Sequence, residues 1–359
     1  MTKLTIRGAY GETNFGDDLL MCVFENYFLT EFDDLQLNFV GENSNYVDLL
    51  LTKGKYMQSS FVADWEIYGG GTQFFAFQSK NETSLKQKVL FAINNPKAIK
   101  ERIKKILVKD KYDEAKVAFL GFGIGPFYEN YEAILHAKEK TSKANFVGVR
   151  DEVSYSYCTE WNIPAILGAD VVFSSYFNKP DILKSTHSSG KIKIGIIVRD
   201  WDWEKSGNSY INNLLEFYKN YSDAEFQFIV FAPSRDKEWI AKLKNENVLL
   251  WDPQKYSIKS FLDELNKFDG FISARYHGAI VASLLNKPVI CVEIEPKLRI
   301  LTEQVKEIKL WKKPFDVKDL ADLVNQLDFN VDYTDSLNER KANADYMLLE
   351  FKKIFHEIG

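Results

Sequence analysis

The stretch FDGFISARYHGAIVASLLNKPVI, Phe268–Ile290, decides the fold. Gly270–Ser273 is a short apolar run of strand type, Gly278–Leu285 is small and apolar with helical length, and Val289–Val292 is a second strand. A strand, a turn, a helix and a strand make one right-handed crossover unit of a parallel sheet. Arg275, Tyr276 and His277 fall in the turn, just ahead of Gly278. A helix N-terminus presents unpaired N–H groups and a positive dipole end, which suits phosphate. Arg275 adds a planar fork for phosphate or carboxylate. His277 exchanges protons near neutral pH. The turn therefore reads as an anion cradle with an acid/base group beside it. The competing reading is a core histidine that caps the helix. Lys297, after the next strand, adds a third positive charge.

Outward from this unit the same alternation covers the chain. Leu4–Arg7, Leu35–Val40, Glu66–Tyr68, Val117–Gly121 and Asn145–Val149 read as strands, with helices over Asp17–Phe28 and Glu152–Trp161. Ser174–Lys191, rich in serine and containing Pro180, reads as a linker. The alternation restarts with strands at Ile192–Val198, Phe226–Phe231 and Val248–Leu250 and helices at Ile211–Tyr218, Asp316–Leu327 and Leu337–His356. The expected fold is α/β: two doubly wound, Rossmann-like domains, residues 1–178 and 191–330, with residues 331–359 packing back across the pair. In such sheets ligands sit beyond the carboxyl ends of the strands, so the site belongs in the cleft between the domains.

Composition removes several functions. The formal net charge of −5 gives no basis for general nucleic-acid binding. Three cysteines match no zinc spacing and fit a reducing compartment. The first residues, MTKLTIRGAY, lack the apolar core of a signal peptide, and no apolar run spans a bilayer. A cytoplasmic protein is expected, with no metal-ligand spacing among its cysteines.

The strand ends of the first half supply the remaining candidates. GAYGETNFGDDLL, Gly8–Leu20, pairs a glycine turn with Asp17 and Asp18 at a helix start, where the dipole favours acids. It reads either as capping alone or as an acceptor site in which Asn14 or Asp17 faces the cleft. YGGGTQF, Tyr68–Phe74, places Gly70, Gly71 and Thr72 where a ligand approaches backbone closely. GFGIGPF, Gly121–Phe127, lacks the spacing of a dinucleotide fingerprint and reads as a turn closed by Pro126. Arg150, Asp151 and Asp170 follow strands and read as ion pairs or caps. Arg199, at the end of the first strand of the second half, reads as an anion-binding arginine, with stacking on Trp201 or Trp203 as the alternative.

Taken in order, GETNFGDD, YGGGTQF, GFGIGP, VGVRDEVS, VRDW, SARYHG and IEPK resemble the polysaccharide pyruvyl transferase family over nearly the whole chain. The resemblance implies a GT-B arrangement and transfer of the pyruvyl group of phosphoenolpyruvate to a sugar, with a ketal formed and phosphate released, in capsule or exopolysaccharide synthesis. It implies donor binding by Arg199, Arg275, Tyr276, His277, Gly278 and Lys297, with Arg199, Arg275 and His277 catalytic and no cofactor beyond the donor substrate. Asn14, Asp17, Asp18, Gly70, Gly71 and Thr72 would form the acceptor side. The family's early motif usually ends Gly-Asp-Glu; here it ends Gly16-Asp17-Asp18, one methylene shorter. An acceptor carried on a polyprenyl diphosphate would bring the lysine-rich segment Lys86–Lys109 to anionic headgroups at the inner face of the membrane. A glycosyltransferase using a nucleotide sugar and a non-catalytic glycan-binding protein are the alternatives.

Overall fold

The computed structural model describes residues 1–42, 44–57, 62–76, 115–180, 191–204 and 206–358. In the first half, β1 (Thr2–Arg7), β2 (Leu35–Val40), β3 (Lys55–Met57), β4 (Trp65–Gly69), β5 (Thr72–Phe74), β6 (Lys116–Ile124), β7 (Phe146–Val149) and β8 (Ile166–Leu167) alternate with α1 (Phe15–Glu31), α2 (Tyr131–Ser142) and α3 (Glu152–Glu160). The second half holds β9 (Ile192–Val198), β10 (Ala224–Val230), β11 (Val248–Leu250), β12 (Gly270–Ser273), β13 (Val289–Val292) and β14 (Lys309–Trp311). Its helices are α4 (Ser206–Asn220), α5 (Lys237–Lys242), α6 (Ile258–Leu265), α7 (Tyr276–Leu284), α8 (Pro296–Gln304) and α9 (Val317–Asn325). A long last helix, α10, runs over Thr334–Ile358.

The first sheet runs β3-β2-β1-β4-β6-β7-β8, with β5 paired to β6, and the second β11-β10-β9-β12-β13-β14. The strand pairs within both are parallel. Each sheet therefore reverses direction at its first strand, β1 or β9, the crevice position where doubly wound sheets bind ligands. The central strands carry Ile194, Ile196, Ile197 and Val198 at 1% exposure or less, as expected where helices cover both faces. This is the GT-B arrangement.

One apolar core continues through both sheets. Its joint is Phe15, whose ring lies 4.8 Å from Phe231, 5.1 Å from Trp251 and 4.8 Å from Phe261. The Phe15 N–H also donates to the Phe231 carbonyl at 2.9 Å. Burying one Phe contributes roughly 1.5–3 kcal/mol, so α1 is a firm link between the halves. Helix α10 returns to the first sheet: Phe351 and Phe355 pack on Trp65, and Tyr27 Oη donates to the Leu348 carbonyl at 2.7 Å.

Three differences from the sequence reading bear on the site, each for a local reason. Helix α7 begins at Tyr276, so Tyr276 and His277 form its first turn and only Arg275 stands outside it as N-cap. The Ser273 hydroxyl sets that start, accepting from the Arg275 N–H at 3.2 Å and donating to the Arg275 carbonyl at 2.8 Å. Helix α1 begins two residues early because Asn14, not Asp17, is its cap; Asn14 Oδ1 accepts from the Gly16 N–H at 3.3 Å. Gly121–Ile124 is not a turn but the end of β6, paired to β5 and β7 across an irregular register. Gly121 holds φ +62° there, and a Cβ would lie 2.9 Å from the Val171 side chain. The turn follows at Gly125-Pro126. The lysine-rich segment Lys86–Lys109 and residues 181–190 of the expected linker lie outside the described residues.

Candidate active site

Helix N-termini follow the carboxyl ends of parallel strands, and four of them meet at one cavity of about 230 Å³. The starts of α1 (Asn14, Gly16, Asp17), α3 (Asp151, Val153), α7 (Arg275, Tyr276, His277) and α8 (Glu295, Pro296, Lys297) all line it. Each contributes a partial positive charge. The caps differ. Asn14 and Asp151 close α1 and α3 with their own side chains, whereas the N-caps of α7 and α8 make no side-chain cap hydrogen bond. Pro296, in the first turn of α8, has no N–H to offer. The N-terminus of α7 therefore presents first-turn donors free of a side-chain cap, and α8 one fewer, to the cavity.

Five basic side chains line the same space: Arg150, Arg199, Arg235, Arg275 and Lys297. Each is held by a carboxylate. Arg275 Nη2 donates to both oxygens of the buried Asp236 at 2.6 Å, and its Nε donates to the Val198 carbonyl at 3.2 Å. Arg199 lines the cavity, pairs with Glu295 and stacks 4.9 Å from the Trp201 ring, the stacking the sequence offered as one of its two readings. Lys297 Nζ lies 2.9 Å from the same Glu295. Arg235 pairs with Glu12 of the first half. Arg150 lies 3.3 Å from Asp170 and 3.6 Å from Asp151, donates to Thr72 Oγ1 at 2.8 Å, and covers the Tyr276 ring at 4.5 Å. A guanidinium has five donors, so these pairs orient the forks without using them up.

Burial and charge shift several groups. Burial would raise the Glu295 carboxyl, but Arg199 and Lys297 outweigh it and hold it below the usual range. Burial pushes Lys297 down to about 8, with Glu295 opposing and Arg199 and Arg150 adding to the fall. Asp170 is held below the usual range, because His277 and Arg150 overcome the effect of its burial. Asp17 moves the other way: burial raises its carboxyl despite His277, Lys297 and Arg275 nearby.

His277 joins the halves at the centre of the cavity. Its Nε2 is buried 3.5 Å from Asp170 Oδ2, beyond hydrogen-bonding alignment, and its Nδ1 lies on the Gly16 side. A Cβ on Gly16 would sit 2.3 Å from Nδ1. Gly123 has a parallel role, since a Cβ there would meet Arg150 Nη2 at 2.9 Å. Gly71, with φ +71°, leaves open space on its cavity side.

Arg199, Arg275, Tyr276, His277, Lys297, Asn14, Asp17, Gly71 and Thr72 thus come together as the sequence suggested. Three others do not line the cavity. Asp18 is buried and accepts from Trp251 Nε1 at 2.8 Å and from Tyr46 Oη at 2.9 Å; adjacent helical residues point about 100° apart, so Asp17 and Asp18 diverge. Gly70 packs on Leu20, and Gly278 lets α7 approach Ser273. Sequence reasoning missed Arg235, Asp236 and Glu295 as site residues. All three follow strands, the position that flagged Arg199, but their spacing matched no chemistry sought. Among the described residues no helix is long and apolar enough to cross a membrane.

The fold is shared with sugar-nucleotide enzymes. The UDP-N-acetylglucosamine 2-epimerase of Rickettsia bellii superposes with a TM-score of 0.59 at 14% identity, covering 99% of this chain and 96% of that one. The Neisseria meningitidis UDP-GlcNAc 2-epimerase bound to UDP-GlcNAc gives 0.55 at 13%, covering 98% and 99%. At such identities the likeness is one of fold. No curated protein matches the chain in sequence. The family model for polysaccharide pyruvyl transferases matches residues 14–296, from the cap of α1 to the first turn of α8 and so across every helix start that lines the cavity, and the chain belongs to that family.

Proposed function

We propose that this chain transfers the pyruvyl group of phosphoenolpyruvate to two hydroxyls of a sugar, forming a ketal and releasing phosphate. The carrying observation is the uncapped N-terminus of α7 beside Arg199, Arg275 and Lys297 in one cavity. Phosphoenolpyruvate bears a carboxylate and a phosphate on a three-carbon frame, and this cluster offers two arginine forks, a lysine and a helix dipole within that reach. Arg199 and Arg275 hold the two anionic ends. Positioning of this kind supplies roughly 7–11 kcal/mol of a barrier.

The steps balance without an external reagent. A proton adds to the methylene carbon, a first sugar hydroxyl attacks C2 and gives up its proton, the C2–O bond to phosphate breaks, and a second hydroxyl closes the ketal as its proton passes to the departing phosphate. His277 is the proton-exchanging group. Asn14, Asp17 and Gly71 border the acceptor from the first half. A lipid-linked acceptor accords with the family's polysaccharide role and would bring the enzyme to a membrane surface.

Phosphoenolpyruvate labelled in its pyruvyl carbons, incubated with the enzyme and a panel of sugars, tests the reading. Label in the sugar with equimolar phosphate is the expected result. Sugar transfer from a nucleotide sugar, with phosphoenolpyruvate inert, would overturn it.

A further inference from the structure

We propose that Asp170 is the positioning residue for His277: it keeps the proton on Nε2 and leaves Nδ1 as the nitrogen that exchanges protons in the cavity. Asp170 lies 107 residues before His277 in the chain, in the other half, and its side chain is fully buried. Its Oδ1 accepts from the Val172 N–H at 3.1 Å, and its Oδ2 faces Arg150 Nη1 at 3.3 Å and His277 Nε2 at 3.5 Å. Two fixed donors thus hold the carboxylate in place. An ionised carboxylate only accepts, so the nitrogen turned toward it is stable there only when it carries hydrogen. Nε2 is buried and has no other partner to choose.

The opposite ring nitrogen has a different environment. Nδ1 lies against Gly16, which lines the cavity and has no side chain to cover it. The charged and titratable groups around the ring are Asp170 from the turn after β8, Asp17 from α1, Arg150 behind Asp170, and Tyr276 with its ring 5.5 Å away on α7 itself. Lys297 and Arg275, like His277, act on the Asp17 carboxyl. Asp170 alone is both fixed and turned to Nε2. This arrangement makes the ring a one-ended proton carrier: the proton on Nε2 is retained, and the one on Nδ1 moves. The placement of the proton stands on the geometry; its use in ketal formation rests on the pyruvyl-transfer reading.

The test begins with the unmodified protein. It has four histidines, so ¹⁵N-histidine labelling gives few signals, and the spectrum of His277→Gln identifies the one that matters. The expected result is an Nε2 resonance of protonated type and an Nδ1 resonance of unprotonated type in the neutral ring. An Nε2 of unprotonated type would overturn the proposal, whatever the enzyme's substrate. Asp170→Asn supplies the second readout. With the carboxylate gone, turnover should fall about 10- to 100-fold, the scale for losing an orienting partner. The fixed tautomer should be lost with it, so that the variant's Nε2 resonance moves away from the protonated type. A folded Asp170→Asn protein with wild-type turnover and an unchanged ¹⁵N spectrum would reduce Asp170 to a structural ion pair. Loss of phosphate release in every sugar tested, with the ¹⁵N result intact, would sink the substrate reading and leave the positioning role standing.

Discussion

Nδ1 of His277 occupies the space into which a side chain on Gly16 would project, 2.3 Å from its first carbon. The ring's Cβ would lie only 3.0 Å from the same atom, so the whole side chain, not its tip, must move to admit a methyl group. Alanine at a helical glycine ordinarily stabilises by about 0.8–1 kcal/mol. Here it displaces the ring proposed to exchange protons. Gly16→Ala should therefore keep its helical circular dichroism while turnover falls about 10²-fold, the typical result of a 1 Å misplacement. Wild-type turnover in that variant would mean that the ring position is not critical.

Asp18 makes a different prediction, about stability. Burial pushes its carboxyl up to about 7, against the opposing effect of the Trp251 and Tyr46 hydrogen bonds. The unfolded chain ionises near 3.9. A raised folded-state value means the native state favours the proton, so its stability contribution is full below about 4 and declines as pH rises through about 7. Asn at this position keeps an oxygen for Trp251 and carries no charge. Asp18→Asn should match the wild type near pH 4 and exceed it increasingly toward pH 7, by up to roughly 4 kcal/mol at 1.36 kcal/mol per unit. Urea denaturation at several pH values measures this. A variant less stable than wild type at pH 8 would contradict it.

The two arginines should fail in binding. Removing one partner of a buried charge pair costs roughly 2–5 kcal/mol, so Arg199→Ala or Arg275→Ala should weaken phosphoenolpyruvate binding by about thirtyfold to several thousandfold. Lysine should rescue poorly at Arg275, where Nη2 bonds both oxygens of Asp236 while Nε bonds the Val198 carbonyl, a two-nitrogen plane that lysine lacks. Calorimetry reads the affinity directly. Retained affinity in both alanine variants would remove the clamp from the account.

Lys297 should set an upper pH limit on donor binding. Its ammonium, pushed down to about 8 by burial, is charged below that value and neutral above it. Affinity for phosphoenolpyruvate should fall as pH rises past about 8, and Lys297→Arg should abolish that limb because a guanidinium stays charged. A wild-type affinity that is flat from pH 7 to pH 9.5 would show that Lys297 does not meet the anion.

Asp17→Ala should divide the two substrates. Asp17 lines the cavity from α1, in the first half. Turnover should fall while calorimetric affinity for phosphoenolpyruvate stays close to wild type. Equal loss of both in a folded variant would contradict the assignment of the acceptor to the first half.

Much of this site was legible because parallel sheets put function at predictable places. Arg199, Arg275 and Lys297 stand directly after apolar runs, and a periodicity argument finds such positions without knowing the topology. The pairing of the charges was not legible. Asp236 and Glu295 fix the arginines, yet each reads locally as an ordinary loop acid. Asp170 meets His277 only because α1 and Phe15 lock the halves together. Arg150 was read as an ion pair, and it is one; its second role, covering Tyr276 in the cavity, needs the second half in place. Asp18 misled because two adjacent acids look alike in sequence, while a helix turns one to the cavity and the other to Trp251.

Phosphate release from phosphoenolpyruvate across a panel of sugar acceptors, in wild type and in His277→Ala, tests the central claim most directly. The account predicts acceptor-dependent release with a ketal-bearing product in the wild type. In His277→Ala it predicts turnover lower by about 10²–10⁴-fold with calorimetric donor affinity little changed. Acceptor-dependent release at the wild-type rate in a folded His277→Ala protein would contradict it.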